Sequence, residues 1–245
     1  MPITDPLAIL VIASAFIASV ISSTFAIGGG FIMIAVLSSI LPMQAVVPVH
    51  SPMMLGLSLG RSWVFRRDIQ WDIVIPFILG CLIGVFGGSF VYFDLPAFVI
   101  ALVVGLFILL AIWLPPIRWR TDIPRPFFWI GIVHSFCSTL FSFGGLFQPI
   151  MIRQVMSRFK VIATLAAGLL CMNMLKITAY TWQGFDYRPW LAVITLSILA
   201  AIPGTLFGKK LLQYISEQRF RLCFRIVMTG FGLRLLYRAW VLYPV

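Results

Sequence analysis

The chain is a succession of apolar runs near twenty residues long, separated by short connections in which most of its arginines and lysines gather. A helix needs about 20 mostly apolar residues to cross the hydrocarbon core of a bilayer. Runs at residues 7–27, 43–65, 71–92, 96–114, 127–143, 160–183, 189–212 and 220–242 meet or approach that length, while 31–41 and 146–157 are too short to span alone. With 61% apolar and 10% charged side chains and a mean hydropathy of +1.06, the sequence predicts an all-α polytopic membrane protein whose first partner is the lipid bilayer. The net charge of +11 would suggest nucleic acid in a soluble chain. Here the basic residues cluster between apolar runs and read as topology signals and headgroup contacts, so no nucleic-acid partner is expected. Cys81, Cys137, Cys171 and Cys223 are widely spaced, each inside an apolar run. Neither a metal site nor a disulfide framework is indicated, and no cofactor is predicted. The first basic residue is Arg61, so a cleavable signal peptide is not expected.

"PPIRWRTDIPRP", residues 115–126, is the one extended polar connection, and the pattern restarts after it. At an offset of 116 residues Phe25 meets Phe141, Gly28 meets Gly144, Gly29 meets Gly145, Ile34 meets Ile150, Leu59 meets Leu175 and Gly88 meets Gly204. The glycine pairs carry most weight, and they predict an internal duplication: residues 1–116 a first membrane repeat, 117–126 a cytoplasmic linker and 127–245 a second repeat. Arginine and lysine bias places the loops bearing Arg61, Arg66 and Arg67, the linker, and the loop with Lys209 and Lys210 in the cytoplasm; those near Asp94 and Arg188 fall outside. Equivalent loops then lie on opposite sides, which makes the repeats inverted and the N-terminus external. Arg234 and Arg238, in the C-terminal run, fit this assignment poorly.

Each repeat opens with a long apolar run, a glycine break (Gly28, Gly29 and Gly30; Gly144 and Gly145) and a run of about a dozen residues. Two arrangements satisfy this pattern, a re-entrant hairpin or two crossings with the second helix discontinuous. Backbone that leaves helical geometry at membrane depth must be buried in protein or line a wet cavity. Helices starting at Phe31 and Leu146 would aim unpaired N–H groups and partial positive charge at the break, which suits an oxyanion. Glycines that only let helices pack closely are the alternative.

Other polar residues fall near the same level. Ser51 before Pro52 resembles an N-cap and N1 pair, starting a helix with His50 beside its N-terminus. His50 would donate to an anion, carry a proton, or bond a carbonyl as a packing residue. Asn173 and Lys176, three apart, share a helical face, and an ionisable residue inside an apolar run is a functional candidate. Lys176 snorkelling to the external interface is the competing reading. Gln148 follows the second break, whereas His134 has no polar partner legible in sequence and reads as structural.

Taken together, "FAIGGGFIMIAVL" and "FSFGGLFQPIMI", then "RRDIQW" and "QGFDYRPW", then "GCLIGVFGG" and "AAIPGTLFG", with "NMLKITAY" in the second half, resemble the two repeats of the TauE/SafE family of sulfite exporters. The resemblance spans about residues 7–240. It implies a permease of the bacterial inner membrane, not an enzyme, that exports sulfite, sulfoacetate or a related organosulfonate or carboxylate. Alternating access is expected, with the anion near the midplane at the two breaks. Gly28, Gly29, Gly30, Gly144 and Gly145 would cradle the anion, Ser51, Gln148 and Asn173 orient it, and His50 or Lys176 balance its charge. No G-x-x-x-x-G-K-[ST] motif is present, so a gradient, with H+ as one coupling ion, or the membrane potential would supply the energy. An assembly or scaffolding subunit, or a membrane-embedded enzyme or redox partner, are the competing classes. Monomer or dimer is not decided by the sequence.

Overall fold

The computed structural model describes residues 6–25, 29–113, 124–142, 147, 156–211 and 217–243. Among these residues all regular structure is helical: α1 (Pro6–Phe25), α2 (Gly29–Ile40), α3 (Met43–Val64), α4 (Trp71–Asp94), α5 (Ala97–Trp113), α6 (Pro126–Phe141), α7 (Arg158–Trp182), α8 (Leu191–Leu211) and α9 (Glu217–Val241), with short 3-10 turns at Arg66–Asp68 and Arg188–Trp190. Three stretches, Trp71–Asp94, Phe159–Trp182 and Arg188–Gly208, are long and apolar enough to cross a membrane; Pro6–Ile21, Gly29–Ile40, Ala97–Leu110 and Pro126–Phe141 are shorter apolar helices. The outward faces are apolar, as on α4 with Ile75, Leu79, Leu82, Ile83 and Phe90 exposed. Exposed tryptophans sit at helix ends: Trp63, Trp71, Trp113, Trp129, Trp182 and Trp240. Indoles favour the boundary between hydrocarbon and headgroup, so this distribution marks the edges of a lipid-facing surface.

The helices form two compact units, each drawing on both sides of the linker. One comprises Met1–Met53, Pro96–Leu114 and Asp186–Val245; the other comprises Met54–Leu95 and Pro115–Phe185. In the first unit α1 packs on α2 and α8, and α5 packs on α9. The Ser14 hydroxyl donates to the Val11 carbonyl (2.7 Å) and lies 3.7 Å from the Met33 sulfur, which brings α2 back against α1. Glycines set the closest crossings: a Cβ at Gly204 would stand 2.6 Å from the Phe16 carbonyl, and one at Gly232 2.7 Å from Leu109.

In the second unit α4 lies against α6 and α7. Gly80, Gly84 and Gly88 repeat every fourth residue and form a bare stripe down one face of α4. Gly131 of α6 meets that stripe, so backbone touches backbone: an added Cβ at Gly80 would collide with the Phe128 carbonyl and one at Gly84 with the Ile132 carbonyl. In lipid, where apolar surface alone gives little drive for association, such small-residue seams supply the van der Waals contact that joins helices. Beside the seam, Ile73, Phe77, Cys81 and Val85 of α4 form a core with Ile130, Met172, Ala179 and Phe147.

The sequence boundaries agree with the helices to within a few residues, with two corrections. The short helix after the first break starts at Gly29, not Phe31, so Gly29 and Gly30 form its first turn. The Ser51 and Pro52 pair does not begin a helix. It lies inside α3, where Pro48 and Pro52 are both accommodated and the Ser51 hydroxyl donates back to the Val47 carbonyl (2.9 Å). Gly28, Gly144, Gly145 and the run 148–155 lie outside the described residues.

The seam predicts unequal responses to the same small change. Gly84→Ala should destabilise the protein by about 1–3 kcal/mol through overpacking. Gly87→Ala, whose Cβ would meet only Phe136 at 3.9 Å, should change stability by less than about 0.5 kcal/mol. Thermal unfolding in detergent measures both.

Candidate functional site

A helix end leaves up to four carbonyls unpaired, and in hydrocarbon no water is at hand to satisfy them. Helix α6 stops at Phe141, just before the second glycine break, with Ser142 in the left-handed region (φ 56°) donating its N–H to the Ser138 carbonyl at 2.8 Å. The other donors come from α7. Lys176 Nζ donates to the Ser138 carbonyl (2.8 Å) and lies 3.4 Å from the Ser138 hydroxyl; one turn further along, the Tyr180 phenol donates to the Thr139 carbonyl (2.6 Å). A cation at a helix C-terminus also opposes the partial negative charge there. Lys176 is 1% exposed, so its ammonium does not snorkel.

Lys176 meets the polar face of α6, and an aromatic group adjoins that face at His134. Helix α6 presents His134, Ser135, Ser138 and Thr139, all buried. Asn173 shares the buried face of α7 but turns its amide to the Leu169 carbonyl (2.8 Å) of its own helix. Phe77 and Phe147 stack at 3.9 Å and 10°, and the His134 ring lies 5.8 Å from the first and 6.1 Å from the second. Gly168 makes room for this pair, since a Cβ there would meet the Phe147 ring at 2.8 Å. No Asp or Glu is among the buried described residues, and Lys176 makes no ion pair with any described residue.

The first unit holds its own polar group. Gly29 is buried at the start of α2, and His50 Nε2 lies 3.2 Å from the Gly30 carbonyl. The far end of α2 is capped by Arg238 of α9, whose guanidinium donates to the Ser38 carbonyl and, at 3.2 Å, to that of Leu41. That contact gives Arg238 a structural task and accounts for its poor fit as a loop charge. Within α3, Pro52 has no N–H to give the Pro48 carbonyl; the Tyr187 phenol donates to it instead (3.4 Å). Burial pushes the Tyr187 phenol above its ordinary pKa, so it stays a protonated donor.

Of the residues expected from sequence, Gly29, Gly30, His50 and Ser51 thus fall in one unit and Asn173 and Lys176 in the other. Gly28, Gly144, Gly145 and Gln148 lie outside the described residues. His134, read as structural from sequence, lies one helical turn from Ser138, the residue that Lys176 bonds. The available signal was the run of polar residues at 134, 135, 138 and 139, which share one face of a helix.

Apolar helices with tryptophan-marked ends and a buried lysine inside one of them are features of a polytopic membrane protein. A family model, "Sulfite exporter TauE/SafE", matches residues 11–235. The chain belongs to that family and is a transporter, not an enzyme. It is also similar to a protein of Methanocaldococcus jannaschii named as a probable membrane transporter, with 26% identity over 257 aligned positions covering 93% of this chain and 94% of the relative. No solved structure matches the chain.

The Tyr187 contact yields a coupled prediction. Tyr187→Phe should cost about 1 kcal/mol in the native chain. In a Pro52→Ala background, where residue 52 supplies its own N–H to the Pro48 carbonyl, the same change should cost much less. A double-mutant cycle of unfolding free energies reads the difference.

Proposed function

We propose that this transporter carries a small anion outward across the inner membrane of a bacterial cell, with sulfite, sulfoacetate or another organosulfonate or carboxylate as substrate. The observation that carries the reading is Lys176. Keeping a buried lysine protonated away from water costs several kcal/mol unless an opposite charge accompanies it, and no buried described residue offers a carboxylate. An ammonium has three donors, and among the described residues its acceptors are the two oxygens of Ser138. At least one N–H is therefore available to a ligand oxygen. A substrate anion supplies the missing charge, with Asn173 on the same buried face of α7.

The N–H groups of the first turn of α2, at Gly29 and Gly30, with His50 next to them, make a second element suited to an anion. A duplicated, inverted chain working by alternating access accommodates both elements. Support for the duplication comes from reciprocal packing: α4 rests on α6 through Gly88, and α8 rests on α1 through Gly204, the two glycines being an offset pair. Export of an anion is favoured by an inside-negative potential, at about 2.3 kcal/mol per charge per 100 mV, and H+ is a candidate coupling ion.

Flux into proteoliposomes from a panel of sulfite, sulfoacetate, lactate, phosphate and chloride tests the reading. Sulfite or a sulfonate should move faster than chloride, and Lys176→Met should slow it tenfold or more while the protein remains folded. Equal flux in the variant removes Lys176 from the proposal, and no flux for any anion of the panel removes the substrate class proposed. Orientation has its own measurement: reporter fusions near residues 94 and 186 should both report the external side, and those near 68, 122 and 215 the cytoplasm.

A further inference from the structure

His134 is 0% exposed, and neither Nδ1 nor Nε2 has a hydrogen-bond partner among the described residues. A neutral imidazole brings one donor and one acceptor, and folded proteins leave few such groups unsatisfied when buried. Among the described residues no neighbour pairs with a polar ring here. The neighbouring rings are Phe77 and Phe147, and a third apolar aromatic would fit that company without leaving any polar atom unpaired.

What distinguishes the position is its charge environment. His134 lies one turn before Ser138 on α6, and Ser138 is where the Lys176 ammonium arrives from α7, within electrostatic reach of the imidazole. From α4 the facing side chain is Phe77, and from the segment after the second break it is Phe147. The described surroundings therefore combine a lysine with spare donor capacity, an imidazole without a hydrogen-bond partner among the described residues, and two stacked phenylalanine rings. Low-dielectric surroundings strengthen any electrostatic bond formed inside them.

We infer that His134 and Lys176 form one oxyanion site, in which the ammonium supplies the charge and the imidazole N–H donates to a second oxygen of a sulfite-sized anion. The inference rests on the anion-transport reading and deepens it by assigning a substrate-binding side chain from a second helix.

Unfolding midpoints in detergent, measured in sodium sulfite and in sodium chloride of equal ionic strength, test it together with sulfite flux. Wild type should be stabilised by sulfite. His134→Phe, freed of two unsatisfied nitrogens, should unfold about 2–4 °C higher than wild type in chloride, yet lose the sulfite shift and at least tenfold of the flux. His134→Gln, which keeps an amide donor, should retain a sulfite shift. A His134→Phe protein with full sulfite shift and flux, while Lys176→Met has lost both, overturns the role of His134 and leaves the transport reading standing. Absence of any sulfite response in wild type overturns both. Should His134→Phe not fold, the same contrast between His134→Gln and His134→Leu decides: equal sulfite shifts in those two overturn the inference, and a shift confined to glutamine supports it.

Discussion

A helix that ends inside a hydrocarbon layer must find hydrogen-bond donors for its last carbonyls within the protein, and much of this structure follows from that demand. Helix α6 obtains them from Lys176 and Tyr180, helix α2 from Arg238, and the proline-interrupted α3 from Tyr187. In each case the donor is a long side chain reaching from another helix or connection. Bringing a cation to such a place also commits the chain to an imbalance of charge, because the acidic residues that the structure describes (Asp68, Asp72, Asp94, Asp186 and Glu217) sit at helix ends or in connections. The anionic substrate proposed above would resolve that imbalance, and on that proposal the structural and the transport roles of Lys176 would arise from one contact.

Helix positions were legible because length and hydropathy are local properties. A run of apolar residues between arginines and prolines can be measured without knowing its neighbours, and α1 to α9 fall close to where those runs lie. The family was legible for a related reason, since the order of several loose motifs along the chain is preserved even where no single motif is specific. Lys176 and Asn173 were legible as polar residues interrupting an apolar segment.

What could not be read was pairing across distance. Ser51 before Pro52 has the local chemistry of a helix start, but the bilayer favours keeping a helix intact, and the carbonyl that Pro52 leaves unpaired is served by Tyr187, 139 residues from it. Arg238 counts as a loop charge in any tally of basic residues until its contact with α2, 200 residues earlier, is known. The glycines of α4 were recognised as a glycine-rich segment, yet their purpose depends on Gly131 lying opposite. His134 was passed over because its charged neighbour arrives from a different helix.

The seam between α4 and α6 bears on how a transport cycle can run. Most helix pairs slide by small rotamer adjustments at their interface, the interdigitating side chains acting as a compliant layer. Here that layer is missing along Gly80, Gly84 and Gly131, where main chain rests on main chain. Close main-chain contact of this kind leaves the two helices little room to slide past one another. In the alternating-access cycle proposed above, motion would then fall to the ends of these helices, and α6 ends where Lys176 meets it.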